Sequence, residues 1–233
     1  MEAFINGYKC LDCKHCFRKS PTFSLLDEDD LARLDNARIE VSFKAGEIIY
    51  KQGTPLTHIV ILNSGFGKIY LEGQNERNLI LNYTKPFGMN GGIGIFIDER
   101  HLSSLRAVTD CEACFIEIGE FKDTLKRNPE FMDAYLREHS ISILHTYRQL
   151  SILTQKNMEG RMAESLLYLD DNGFGNGSFK HIPKQDLAEF TAMTKESSIR
   201  VLKQFRDEGI IGIDNKRISI LDKKALKQIA VHG

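Results

Sequence analysis

Residues 182–211 read "IPKQDLAEFTAMTKESSIRVLKQFRDEGII", and their spacing predicts two short helices joined by a tight turn. Pro183 suits the first turn of a helix, and "KQDLAEF" puts Leu187 and Phe190 on one side. "TAM" is the connection. Thr194 is a good N-cap for the next helix, "KESSIRVLKQFRDEG", which Gly209 ends. Two short helices with a turn of this length form a helix-turn-helix pattern.

The second helix sorts its residues by face. Ser198, Val201, Leu202 and Phe205 share an inner side, whereas Lys195, Glu196, Ile199, Arg200 and Lys203 share the outer one. That outer face has the chemistry of a major-groove reader. Arginine bonds guanine O6 and N7 in a bidentate way, glutamate accepts from cytosine N4, and isoleucine touches a thymine methyl. The next stretch, "IIGIDNKRISIL", is a hairpin with a polar turn from Asp214 to Arg217. It suits a wing whose Lys216 and Arg217 contact phosphate. A plain solvated helix followed by an ordinary hairpin would share the two faces, but not the cap, the turn length and the wing together.

Upstream, "DDNGFGNGS" (170–178) is a loop, and before it the period changes. From Pro129 to about Asp171 helix formers dominate, with Gly160 the one glycine. Leu136, Ile143, Leu150 and Leu153, with Met132, His139 and Thr146 between them, fall near a 3.5-residue repeat. A helix packed on its own domain would show such a stripe. One this long also fits a helix that pairs with its twin, and the homodimer is the reading adopted. The helix should end or bend near residue 157, which divides the chain into residues 1–156 and 157–233.

From about Val41 to Ile118 short segments rich in β-branched and aromatic residues alternate with turn chemistry: "EIIY", "HIVIL", "GKIYL", "RNLILNY" and "ACFIEI" against "KAGE", "KQGTP", "NSGFG" and "EGQNE". This predicts a jelly-roll β-barrel, so the fold class is α+β. A short helix is expected before it, around Leu31, Leu34 and Ala37.

The 233 residues are 42% hydrophobic and 27% charged, values of an ordinary soluble protein. No apolar run approaches the roughly 20 residues of a membrane span, and "MEAFINGYKC" lacks signal-peptide character, so a cytoplasmic location without membrane contact is expected. A formal net charge of −1 neither favours nucleic acid nor excludes a local basic surface. In the cytoplasm five cysteines are thiols or metal ligands rather than disulfides.

The chain as a whole resembles regulators of the CRP/FNR family. The matching motifs are "FKAGEIIYKQGTP" and "IVILNSGFGKIYL" in the barrel, "RAVTDCEACFIEI" at its last strands, the reader helix with its wing, and the tail "NKRISILDKKALKQIA". The resemblance implies a cyclic-nucleotide-binding-like barrel, a long dimerisation helix and a winged helix-turn-helix. It makes Lys195, Glu196 and Arg200 base readers, with Thr194 and Ser197 near phosphates. It also implies a pseudo-palindromic operator in double-stranded DNA and a contact with RNA polymerase. Two departures stand out: Ser198 and Ile199 invert the family's small-outside, apolar-inside order, and Ala192 occupies a turn position that commonly holds glycine.

Relatives that bind cyclic nucleotide use a glutamate for the ribose and an Arg-Ser pair for the phosphate. Here "PFGMNGGIGIFIDERHLSSLRAV" has Met89 to Gly91 at the glutamate position and "RHLSS" near the Arg-Ser position. Arg100 or Arg106 would have to substitute, so cyclic AMP is not expected. The spacing of "CLDCKHC" opens an iron–sulfur motif, with Cys10, Cys13 and Cys16 holding one face of a cluster. The FNR resemblance implies Cys114 as fourth ligand of a [4Fe-4S] cluster, with Cys111 a second candidate. Zinc on the same thiolates, with His15 as a further ligand, and no metal at all are the alternatives. A small effector in the barrel is a further possibility.

No catalytic constellation accompanies these features: the seven histidines are scattered and no glycine loop follows a strand to bind nucleotide, so an enzyme is not expected. The competing functions are a cysteine-motif redox or electron-transfer protein and a small-ligand module with vestigial DNA binding.

Overall fold

The computed structural model describes residues 20–74, 77–91, 94–97, 100–172, 178–179, 182–214 and 217–233. After a short 3-10 turn (Phe23–Leu25) comes the first α-helix among the described residues, α1 (Glu28–Asn36), capped by Asp27, whose carboxylate accepts from the Asp30 N–H at 2.8 Å. Eight strands follow: β1 (Arg38–Phe43), β2 (Ile48–Tyr50), β3 (His58–Ser64), β4 (Gly67–Leu71), β5 (Leu79–Thr84), β6 (Met89–Asn90), β7 (Ser104–Ala107) and β8 (Cys111–Glu117). They form two four-stranded antiparallel sheets, ordered β1-β8-β3-β6 and β2-β7-β4-β5. Apart from the β4–β5 hairpin, consecutive strands alternate between the sheets, which is the double-sheet route of a jelly roll. Val60, Leu62, Leu105 and Ala113 fill the space between the sheets, while Ile59, Ile61 and Ile116 on the opposite face pack under α1.

Helix α2 (Ile118–Arg127) leaves β8 directly, and Pro129 at the first position starts α3 (Pro129–Gln155). Phe131, Tyr135, Gln149 and Ile152 of α3 are buried, whereas Leu136, Ile143, Tyr147 and Leu150 form an exposed row. The stripe read from the sequence is therefore two faces. Leu136, Ile143 and Leu150 stay outside, but His139 turns toward the barrel, because a three-residue step at 3.6 residues per turn sets it about 60° round the helix from Leu136. The expected break near residue 157 is present. Asn157 caps α4 (Met158–Asp171) by accepting from the Gly160 N–H at 2.8 Å.

The C-terminal unit comprises α4, β9 (Ser178–Phe179), α5 (Lys184–Phe190), α6 (Lys195–Asp207), the hairpin β10 (Ile211–Asp214) and β11 (Arg217–Ile220), and α7 (Lys223–His232). Met162, Leu166, Leu187, Phe190, Val201, Leu202, Phe205, Ile218 and Leu226 make one core. β9, which the sequence reading passed over as loop, adds a third strand beside β11.

Candidate nucleic-acid interface

The turn between α5 and α6 is built at Ala192, whose φ of 50° lies in the left-handed region that favours glycine. Thr191 on its near side is fully buried, and its hydroxyl donates to Leu187 O at 2.7 Å. On the far side Thr194 accepts from the Ser197 N–H at 3.2 Å, satisfying one orphan donor at the start of α6. At its end Gly209 adopts φ 73°, and the Ile210 N–H reaches back to Phe205 O at 2.9 Å.

The two-face sorting holds residue by residue. Ser198, Val201, Leu202 and Phe205 are buried, and Thr194, Lys195, Glu196, Ile199, Arg200 and Lys203 are exposed, with Ser197 half-buried. Ser198 completes the inversion noted in the sequence: its Oγ is buried with no hydrogen-bond partner among the described residues, while Ile199 is 40% exposed. An apolar side chain is thus offered to the outside at the price of a buried hydroxyl. The hairpin pairs Asp214 with Arg217 across its tip, and Arg217 is exposed. Lys216, the other expected wing contact, lies outside the described residues.

The reading unit is anchored on the barrel through α5. Lys68 of β4 donates to Asp186 at 2.8 Å and to Glu189 at 3.4 Å, with all three residues buried. Burial raises the Asp186 pKa, and the Lys68 charge and hydrogen bond pull it back. Around this triad Tyr83 of β5 and Tyr168 of α4 pack on Phe190 at 5.4 and 5.6 Å between ring centroids. The backbone at the turn is held as well: Gln149 of α3 donates to Phe190 O at 2.8 Å, and Arg161 of α4 donates to Thr191 O at 3.3 Å.

Arg100 and Arg106, the two residues that would have had to hold a cyclic phosphate, point elsewhere. Arg100 donates to Gly53 O at 2.7 Å, and Arg106 lies over the Tyr70 ring at 5.9 Å, on the side facing Asp186. Met89, Asn90 and Gly91 line the space between barrel and α3, and no arginine among the described residues does so.

Cys111 and Cys114 separate onto opposite faces of β8, as a three-residue spacing on a strand requires. Cys111 faces the space between the sheets, donates to Phe66 O and Thr109 O, and has its pKa pushed up to about 11 by burial. The sulfur of this second ligand candidate lies in the barrel core, on the face of β8 opposite Cys114. The Cys114 sulfur accepts from Asn63 Nδ2 at 3.1 Å and Arg38 at 3.5 Å. Burial raises its pKa, whereas the Asn63 hydrogen bond and the Arg38 charge favour the thiolate. Cys10, Cys13, Cys16 and His15 lie outside the described residues. Among the described residues no group of three or more histidine, cysteine or acidic side chains is placed to hold a metal, and no helix is long and apolar enough to cross a membrane.

A jelly-roll domain joined by a long helix to a winged helix-turn-helix defines a class of DNA-binding regulators, and comparison with known proteins agrees. Residues 40–128 match the cyclic nucleotide-binding domain, and residues 160–229 match the Crp-like helix-turn-helix domain. The chain belongs to the CRP/FNR family and is a DNA-binding transcriptional regulator, not an enzyme. It is 24% identical over 211 residues to the anaerobic regulatory protein of Pasteurella multocida, covering 88% of this chain and 77% of that one. It is equally 24% identical, over 214 residues, to the CRP-like cAMP-activated global transcriptional regulator of Mycobacterium tuberculosis, covering 89% of this chain and 95% of that one. A CRP/FNR-family regulator of Eubacterium rectale shares the fold with a TM-score of 0.76 at 19% identity, covering 91% of this chain and 98% of that one.

Proposed function

We propose that the protein is a homodimeric, sequence-specific regulator that places α6 of each protomer in the major groove at half-sites about one helical turn apart. The observation that carries this reading is the single outward face of α6, with Lys195, Glu196, Ile199, Arg200 and Lys203 exposed above a fully buried inner face. Lys195, Glu196 and Arg200 read bases, Thr194 and Ser197 lie near phosphates at the helix start, Lys203 continues the same outer face, and the wing residues Lys216 and Arg217 contact phosphate. The exposed row Leu136, Ile143, Tyr147 and Leu150 supports dimerisation through α3, since such a row is covered at low cost by a second copy of itself. A polymerase contact follows from the family alone. The natural division of labour is residues 1–156 as sensor and 157–233 as reader, in the cytoplasm.

The signal is sensed in the N-terminal domain and is not cyclic AMP, because neither arginine near the loop faces the space where a phosphate would need it. Cys10, Cys13, Cys16 and Cys114 are the residues to hold a [4Fe-4S] cluster, which would make DNA binding responsive to oxidants. Support comes from the donors that Asn63 and Arg38 direct at the Cys114 sulfur, a setting suited to a metal-bound thiolate. Zinc on the same thiols is the weaker alternative. Iron, sulfide and zinc analysis after anaerobic purification separates these cases.

Selection from random duplexes at moderate salt tests the reading itself. Enrichment of a two-fold symmetric sequence is expected, whereas retention of all duplexes alike, falling away steeply with salt, contradicts it.

A further inference from the structure

The last carbonyls of a helix have no partner within the helix itself. At the end of α5 two of them, on Phe190 and Thr191, sit where the chain turns away at Ala192. Both residues are fully buried, so their oxygens need donors from the protein. Two side chains from outside the reading pair supply them. Gln149 Nε2 of α3 donates to Phe190 O at 2.8 Å, and the Arg161 guanidinium of α4 donates to Thr191 O at 3.3 Å.

The two donors differ in where they start. Arg161 belongs to α4, which shares one core with α5 and α6, whereas Gln149 belongs to the long helix that carries the exposed apolar row. Gln149 is 7% exposed, and the next residue, Leu150, is 60% exposed in that row. A single turn of α3 therefore presents Gln149 to the reading turn and Leu150 to the outside. The other polar ties from this end of α3 run behind the reading pair. Arg148 and Lys156 bond Glu164 of α4 at 3.1 and 3.2 Å, and Lys156 donates to Ala230 O of α7. Those ties hold α3 to the body of the C-terminal unit. Gln149 holds it to the turn from which Thr194 and α6 begin. A buried amide-to-carbonyl bond is directional and has no water to exchange with, so it fixes where that turn sits against α3.

We propose that Gln149 is a positioning residue for DNA reading: it ties the turn before α6 to α3, and through α3 it sets the separation of the two reading helices in a dimer. The inference rests on the reading of the protein as a homodimer paired through α3. Two half-sites about one helical turn apart are met together only if both α6 helices are held at that separation. Moving one half-site by a base pair displaces it by about 3.4 Å and rotates it by roughly 35° around the duplex. A turn pinned to α3 resists following that displacement, and a turn released from α3 follows it more readily.

The test is fluorescence anisotropy with the duplex the protein selects and with versions whose half-sites lie one base pair closer or farther apart, all at the same moderate salt. Wild type is expected to prefer the selected spacing. Gln149→Met matches the side chain in length but lacks the donor. It is expected to lose affinity for the selected duplex and little for the altered ones, shrinking the preference about fivefold, the size of one hydrogen bond. Leu125→Ala weakens the barrel core away from the reading unit, so it lowers the melting temperature yet is expected to keep the wild-type preference. If Gln149→Met fails to fold by circular dichroism, Gln149→Glu carries the test. Its carboxyl donates to Phe190 O only when protonated, so its preference relative to wild type is expected to be weaker at about pH 8 than at about pH 6. An unchanged preference in Gln149→Met, an equal fall in Leu125→Ala, or a pH-independent preference in Gln149→Glu would overturn the proposal. A wild type indifferent to spacing would overturn the paired-reader reading and this inference with it, which keeps the two failures distinguishable.

Discussion

His101 illustrates how the burial of one side chain makes stability depend on pH. Exposed in the unfolded chain, its imidazole takes up a proton near pH 6.5; in the fold, burial lowers that value to about 4. Between these values the unfolded chain binds the extra proton, so stability rises with pH across the window. The contribution is complete above pH 6.5 and is lost as pH falls toward 4. From pH 7 to 5 the loss from this residue is about 2 kcal/mol. Thermal melts at the two pH values are expected to fall more for the wild type than for His101→Gln, while His139 and His145 add a loss of the same sign to both. Equal falls in the two proteins would contradict the assignment. Nothing in the spacing of residues 101, 139 and 145 announces that all three line the space between the barrel and α3. That arrangement exists only because α3 folds back across the barrel, so histidines that read as scattered in the sequence converge in space. By contrast, the outer face of α6 was legible directly, since five residues on one helix face need no tertiary information to be found.

The elements were legible to the extent that their signals are local. Turn chemistry and β-branched runs located the main barrel strands, and Thr194 and Gly209 gave both ends of α6. Two-residue β6 and β9 are too short for a period to register, and β9 sits beside a Gly- and Asn-rich run that reads as loop. α3 shows the limit of a periodic reading: its apolar residues belong to an inner face and an outer row, and a heptad count merges them. The outer row carries a definite expectation. Leu150 is 60% exposed, so Leu150→Glu costs the isolated protomer little, yet across a two-fold axis it would set like charges against each other. Light scattering is expected to give a dimer mass for the wild type and a protomer mass for the variant, with unchanged circular dichroism. A variant that remains dimeric would move the interface off this row.

At the scale of the molecule, the contact between sensor and reader is the feature no sequence reading reached. Lys68 lies in a barrel strand, and Asp186 and Glu189 lie over a hundred residues later on the first helix of the reading pair. Nothing in the sequence marks Asp186 and Glu189 for burial; the fold buries them against a lysine whose charge offsets theirs. Removing that partner leaves the acidic groups buried without their hydrogen-bonded counter-charge, with only the more distant Arg106 charge near Asp186, so Lys68→Met is expected to lower stability by about 3 kcal/mol. Adding Asp186→Asn and Glu189→Gln should recover most of the loss, because the uncompensated charges go with the substitutions. A triple variant as unstable as Lys68→Met would mean that packing, not charge, holds α5 to the barrel.

The claim on which the rest depends is that α6 reads base sequence, and fluorescence anisotropy with the selected duplex measures it most directly. Wild type and Arg200→Ala are titrated against that duplex and against a scrambled one at the same moderate salt, with melting curves to show that both proteins are folded. Arg200 is exposed and reaches the Met158 sulfur at a long 4.0 Å, so the melting curves should nearly coincide. The variant is expected to bind the selected duplex at least about fivefold more weakly, the lower end of what one bidentate base contact contributes, and the scrambled duplex nearly as well as the wild type does. Undiminished affinity of Arg200→Ala for the selected duplex would contradict the assignment of this helix as the reader.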